Sequence, residues 1–141
     1  MDSFIEYLHS LRLIADSGLV VLIWMVQLIV YPGFKFYNTE DLIRWHKVYT
    51  PRITVIVAPL MFFQAGIATY LLLFEFSTIS LIYFILVLST WVSTFLYFVP
   101  LHHKIDTQIE VKLSATELTR RNWYRTFQWT SIFIYGIILF S

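Results

Sequence analysis

The sequence contains four apolar segments, each long enough to cross a hydrocarbon core of about 30 Å as a helix. Hydrophobic residues make up 58% of the 141-residue chain and charged residues 13%, and the mean hydropathy is +0.69. A soluble chain of this size could not bury so much apolar surface, whereas a membrane protein leaves it in contact with lipid. We therefore predict one transmembrane domain over residues 1–141, with membrane lipids as partners. The segments are Ile14 to Tyr31, Ile53 to Phe74, Ile79 to Val99 and Trp123 to Phe140.

The residues that flank these segments predict where the helices begin and end. Pro32-Gly33 follows the first segment and Pro100 follows the third, and such residues are typical helix terminators. Asn38 precedes acidic residues in the pattern of an N-cap, which predicts a short interfacial helix over Asp41 to Thr50 before the second span. Ser114 and Glu117 have capping-box spacing, so the fourth helix is predicted to begin near Ala115.

The connections between the segments predict the fold class. Pro51 lies at the junction before the second span, and Pro59 should kink that span. The connection over residues 75–78 is short enough to force an antiparallel hairpin of the second and third spans. We therefore predict an all-α membrane protein: an up-down bundle of four transmembrane helices, with the short interfacial helix before the second.

The positive charges predict an orientation and exclude one class of partner. Four Lys or Arg residues lie between the first and second spans, five lie between or beside the third and fourth, and only Arg12 lies on the other side. The positive-inside rule then places both long connections in the cytoplasm and both termini outside, in a bacterial inner membrane. A net charge of +1 offers no basic surface for nucleic acid.

Each predicted helix carries polar residues on one side, and polar side chains in a bilayer turn toward the bundle interior or a wet cavity. Arg125 is the most demanding, because a charge in hydrocarbon costs about 2.5–3.5 kcal/mol without a partner or a path to water. The alternatives are that Arg125 reaches the headgroups, that the amides only join helices, and that Asp16 lies near the outer interface. The candidate catalytic residues are His46, His102 and Arg125, and the candidate substrate-binding residues are Gln27, Tyr31, Gln64, Asn122 and Trp129.

The histidines raise the question of a cofactor. His46, His102 and His103 are candidate ligands of a metal ion or a haem iron. Their spacing is not a metal motif, and the adjacent His102 and His103 cannot both point inward from one helix. The chain has no cysteine and shows no nucleophile–base pair and no glycine-rich phosphate loop. The cofactor therefore stays open between none, a metal ion and haem.

Several short motifs follow one another along the chain: Gln27-x3-Tyr31-Pro32, Trp45-His46, Pro59, Pro100-Leu101-His102 and Asn122-Trp123-x-Arg125-Thr126-x2-Trp129. In this order they resemble small four-helix bacterial membrane proteins of mostly unassigned function, and they are distantly similar to anthrone-oxygenase-like membrane proteins. The resemblance implies a cavity for a hydrophobic, aromatic substrate with His46, His102 and Arg125 at its polar end. It also implies acid–base chemistry by His46 or His102, with Arg125 or Gln27 stabilising an oxyanion.

Three functions follow from these observations. The first is an oxidoreductase or oxygenase that acts on a lipophilic substrate at the cytoplasmic leaflet, with a binding protein that shares the cavity but lacks turnover as its variant. The second is a haem- or metal-binding membrane subunit. The third is a non-catalytic accessory subunit of a homo-oligomer or a larger membrane complex.

Overall fold

The computed structural model describes residues 2–140, which form four long helical rods and no strand. The first rod comprises α1 (Asp2–Met25), a π-helical turn (Val26–Val30), α2 (Tyr31–Gly33) and a 3-10 turn (Phe34–Phe36). The second rod is α3 (Thr39–Phe74). The third comprises α4 (Thr78–Ser93), a second π-helical turn (Thr94–Phe98) and α5 (Val99–Asp106), and the fourth is α6 (Val111–Leu139).

The four rods pack as a bundle, which confirms the predicted all-α class. α1 packs against α3 and α6, and α4 packs against the same two helices, so the rods stand at the corners of a square. The first three rods, Ser3–Phe36, Thr39–Phe74 and Thr78–Asp106, are long and apolar enough to cross a membrane. Large apolar side chains cover their outer faces, as lipid-facing surfaces require.

The prediction that Pro100 ends its helix was wrong, whereas the α-helical part of the first rod ends at Gly33 as predicted and is followed by one 3-10 turn. A proline lacks the N–H of the helical ladder, and its ring clashes with the carbonyl four residues before it. In both rods a π-helical turn precedes the proline and relieves this clash: the Tyr31 N–H bonds to the Val26 carbonyl, and the Val99 N–H to the Thr94 carbonyl. Each of these bonds spans five residues, so the chain stays helical beyond the proline.

The second rod also runs further than predicted. The helix expected over residues 41–50 is present, but it is the beginning of α3, which continues through Pro51 and Pro59 as one helix. The N-cap is confirmed, since the Asn38 side-chain oxygen accepts the Asp41 N–H at 2.8 Å. The short turn after Phe74 is confirmed as well, and Ser77 and Ser80 form a capping box that starts α4.

The start of α6 differs from the prediction by one turn. The helix begins at Val111, so Ser114 lies buried inside its first turn and does not cap it. The residue before the helix, Glu110, has a left-handed backbone with φ 48° and supplies no side-chain cap. Glu117 instead accepts hydrogen bonds from Arg120 and Arg121, and these bonds lower the pKa of its carboxyl group.

Candidate functional site

A cavity of about 520 Å³ lies inside the bundle, toward the end that carries the connections at residues 37–38 and 107–110. Its volume falls within the range of about 300–1,000 Å³ that is usual for small-molecule sites. All four rods contribute to its wall, which is mostly aliphatic and aromatic and therefore suits a lipophilic ligand. Representative lining residues are Val26, Val57, Met61, Trp91, Phe98 and Trp129.

The cavity reaches the surface of the bundle between the second and third rods. Thr54 and Phe62 of α3 line it and are exposed, and so are Phe95 and Val99 of the third rod. The π-helical turn over Thr94–Phe98 forms part of this edge, and π-helical turns occur frequently at functional sites. In a bilayer the edge would face the acyl chains, so a lipophilic molecule could enter sideways without crossing water.

A chain of four hydrogen-bonded side chains lies at the polar end of the cavity. The Tyr31 hydroxyl lies 3.1 Å from His102 Nε2. His102 Nδ1 lies 2.7 Å from His46 Nε2, and His46 Nδ1 lies 2.7 Å from Asp106 Oδ1. The members come from α2, α3 and α5, so this Tyr31–His102–His46–Asp106 chain ties three rods together.

The donor and acceptor roles along these hydrogen bonds depend on the tautomers of the two imidazoles, and one assignment satisfies every bond with both rings neutral. An ionised carboxylate can only accept, so His46 Nδ1 donates to Asp106. In neutral His46 the other ring nitrogen then accepts the proton on His102 Nδ1, and His102 Nε2 accepts the Tyr31 hydroxyl proton. In this tautomer assignment every donor points toward Asp106, which is the arrangement that a proton relay needs.

The two ends of the relay lie in different environments. Tyr31, His102 and Asp106 line the cavity, with Tyr31 buried at its inner end, whereas His46 is fully buried behind them. The Asp106 side chain is 41% exposed, at the end of α5. The relay therefore connects the interior of the cavity with water at the connection side of the bundle.

Arg125 lies beside the relay and also lines the cavity. It is 92% buried, since only 8% of its surface is exposed. Its guanidinium carbon lies 4.3 Å from the centre of the Phe98 ring and 4.8 Å from that of Trp129. Within the described chain it forms no ion pair or hydrogen bond, and Nε is buried without an acceptor. Among the described residues, two cation–π contacts of about 0.5–2 kcal/mol each are therefore all that offsets the hydration that the guanidinium loses on burial.

The structure brings some of the predicted site residues together and separates others. Tyr31, His102, Arg125 and Trp129 line the cavity, and His46 supports it from behind. Gln27 and Asn122 instead bond to each other, with Asn122 Nδ2 donating to Gln27 Oε1 at 3.0 Å. These two amides lie outside the cavity lining and join the first rod to α6.

Gln64 belongs to a second polar network deeper in the bundle, which the sequence analysis missed. Asp16 accepts hydrogen bonds from Arg12 at 2.9 Å, Gln64 at 2.6 Å and Tyr83 at 2.8 Å. Arg12 also donates to the Gly136 carbonyl at 3.0 Å. Arg12 and Asp16 are 3% and 1% exposed, so both side chains lie in the interior of the bundle.

The imidazoles do not fit a metal or haem site. Among the described residues, no group of three or more His, Asp or Glu side chains is placed to hold a metal ion. The facing nitrogens of His46 and His102 are 2.7 Å apart, which leaves room for a proton but not for a metal with bonds of about 2 Å to each. His103 lies exposed at the edge of the cavity.

Asp106 is the functional residue that the sequence analysis missed at the cavity. It follows His102 by four residues, which places both on one face of a helix. That signal was present in the sequence, but it counts only if the helix continues beyond Pro100, as it does in the structure.

No protein-family model, curated protein or solved structure matches this chain. The resemblance to anthrone-oxygenase-like proteins therefore stays a prediction, and a functional proposal depends on the cavity and its polar end.

Proposed function

We propose that this protein is a membrane-embedded acid–base enzyme that binds a lipophilic substrate in the cavity and exchanges a proton with it. The observation that carries the proposal is the unbroken relay from the cavity to exposed Asp106. An apolar cavity that opens toward lipid supports the choice of a lipophilic substrate.

The relay can move one proton without leaving a charge on Tyr31, His102 or His46, because the negative charge passes from Asp106 to the substrate. The Tyr31 oxygen takes a proton from the substrate while its own proton passes to His102 Nε2. The proton on His102 Nδ1 passes to His46 Nε2, and the proton on His46 Nδ1 passes to Asp106. The net change is a deprotonated substrate and a protonated Asp106, which then equilibrates with water. The reverse sequence delivers a proton to the substrate.

An oxidoreductase or oxygenase would use this transfer as one of its steps. Those reactions also need an electron acceptor, and nothing in the described chain identifies one. The proposal is therefore limited to proton transfer, and the oxidoreductase, oxygenase and haem assignments stay predictions.

Deuterium exchange tests the proposal without knowledge of the substrate. The purified protein in lipid nanodiscs is incubated in D₂O with a lipid extract of the membranes that contain it, and the extract is analysed by mass spectrometry. We expect one lipophile to gain deuterium at carbon. The variants His102→Ala and His46→Ala should slow this gain by about 10²–10⁴-fold, the usual contribution of general acid–base catalysis.

His103→Ala is the matched control, because His103 is adjacent in sequence but exposed and outside the relay. It should exchange at the wild-type rate. If the wild type gives no exchange, or if the His46 and His102 variants match it, the acid–base proposal is wrong. A lipophile that co-purifies without exchange would indicate a binding protein instead.

We also propose that α6 is the fourth span and that the relay lies on the cytoplasmic side. Because Arg12 is buried in an ion pair, it no longer counts as an outer charge. The other nine Lys and Arg residues lie in the rods on the side of the connections at residues 37–38 and 107–110, and this asymmetry is the one on which the positive-inside rule depends.

A further inference from the structure

The two buried arginines of this chain have very different surroundings. Arg12 is bound by the Asp16 carboxylate and the Gly136 carbonyl, and each of the other three rods contributes a donor or acceptor to that pair. Arg125 is almost as buried, yet the described chain supplies it with neither a carboxylate nor a carbonyl oxygen. A guanidinium has five N–H donors, so Arg125 has unused hydrogen-bonding capacity and an unbalanced charge inside an apolar wall.

The groups around Arg125 cannot balance that charge. Phe98 and Trp129 offer ring faces without an acceptor oxygen. Asp106, the acidic residue in the cavity wall, is hydrogen bonded to His46 and forms no ion pair with Arg125. The open direction for the Arg125 N–H groups is therefore the cavity itself.

We infer that the cavity binds a lipophile that carries one carboxylate, and that Arg125 binds this carboxylate. The planar fork of a guanidinium matches a carboxylate in bidentate geometry, and a single cation balances a single negative charge. The apolar wall then takes the hydrocarbon body of the ligand. This inference rests on the proposed ligand cavity and names the class of ligand that occupies it.

Two matched pairs of probes test the inference on the intact protein in a neutral detergent. Palmitate is compared with hexadecanol, and 9-anthracenecarboxylate with 9-anthracenemethanol, with each affinity corrected for partition into micelles. A change in tryptophan fluorescence reports binding, because Trp91 and Trp129 line the cavity and an occupant alters their surroundings. In at least one pair, the acid should bind the wild type about tenfold or more tightly than the alcohol, as expected for hydrogen bonds to a charged group.

Arg125→Gln should abolish this preference while alcohol binding persists, and Arg125→Lys should keep part of it. Arg121→Gln is the control, because Arg121 lies one turn earlier on α6 and is paired with Glu117. It should keep the wild-type preference. The palmitate pair and the anthracene pair distinguish a bilayer fatty acid from an aromatic acid, and either result supports the inference.

Equal affinities for acid and alcohol in the wild type would overturn the carboxylate inference and leave the lipophile cavity standing. Failure of all four probes to bind would count against both. Because the comparison within the wild type is decisive, the test does not depend on whether the Arg125 variants fold.

Discussion

Gly136 makes room for the buried Arg12–Asp16 pair, and its replacement by alanine gives a sharp test of that network. An alanine Cβ at this position would overlap the Arg12 guanidinium and would lie 3.1 Å from Asp16 Oδ2. Arg12 would have to leave Asp16. Separating the members of a buried ion pair costs about 3–5 kcal/mol. The higher helix propensity of alanine raises the free energy of unfolding by about 0.8–1.0 kcal/mol and so offsets part of this loss. We expect Gly136→Ala to lose about 2–4 kcal/mol of unfolding free energy.

Thermal unfolding in mild detergent measures this loss, and a fall in the melting temperature on the order of 10 °C is expected for a chain of this size. Gly66→Ala is the matched control. Gly66 also lies inside a long helix, but a Cβ there would meet nothing within 4 Å. That variant should be neutral or slightly stabilised.

A double-mutant cycle separates the clash from other effects of alanine. In an Arg12→Met background the guanidinium is gone, so Gly136→Ala should cost far less than in the wild type. If Gly136→Ala melts like Gly66→Ala, or costs the same with and without Arg12, then Arg12 does not occupy the space against Gly136 and the reasoning is refuted.

Two further predictions concern the third rod and the orientation. Pro100→Ala removes the cause of the second π-helical turn, so the α-helical hydrogen bonds should be restored there and α5 should rotate by about 100°. This rotation should separate His102 from His46 and abolish deuterium exchange. Circular dichroism should show unchanged helix content. Pro51→Ala, in a helix without a π-helical turn, should keep exchange, and unchanged exchange in Pro100→Ala would contradict the link. Because the chain has no cysteine, single cysteines that replace exposed Phe36, Ile109 and Phe76 report the orientation. An impermeant maleimide added to intact cells should label only the cysteine at position 76. Labelling at positions 36 and 109 instead would mean that the topology is reversed.

The sequence was sufficient to predict the bundle because its signals are local and long. Each apolar segment is longer than a soluble helix needs, and the short connection after Phe74 leaves only an antiparallel neighbour. The error at Pro100 has a physical reason that also explains why Pro32 is accommodated inside the first rod. A proline ends a helix only where the chain cannot absorb the clash, and a five-residue hydrogen bond just before it absorbs the clash here.

The candidate site was predictable to the extent that its residues lie at one end of their helices. His46, His102, Tyr31 and Arg125 were expected there, and the structure places them around one cavity. The pairing of Gln64 with Asp16 was not predictable in the same way. That pairing depends on the relative height of the first and second rods and on their rotation about their own axes, and the sequence pattern of one rod predicts neither.

The contrast between the two arginines connects stability with function. The pair of Arg12 and Asp16 is bonded to α3, α4 and α6, so it fixes the mutual rotation of all four rods. Trp129 connects this network to the cavity, because its indole N–H lies 3.4 Å from Gln64 Oε1 while its ring contacts the Arg125 guanidinium. The Arg12–Asp16 network can therefore hold Arg125 in the cavity wall through Trp129, although Arg125 has no counter-ion among the described residues. A variant that disrupts the hydrogen bonds of the Arg12–Asp16 network, such as Gly136→Ala, should consequently weaken carboxylate binding at Arg125 as well as lower the melting temperature.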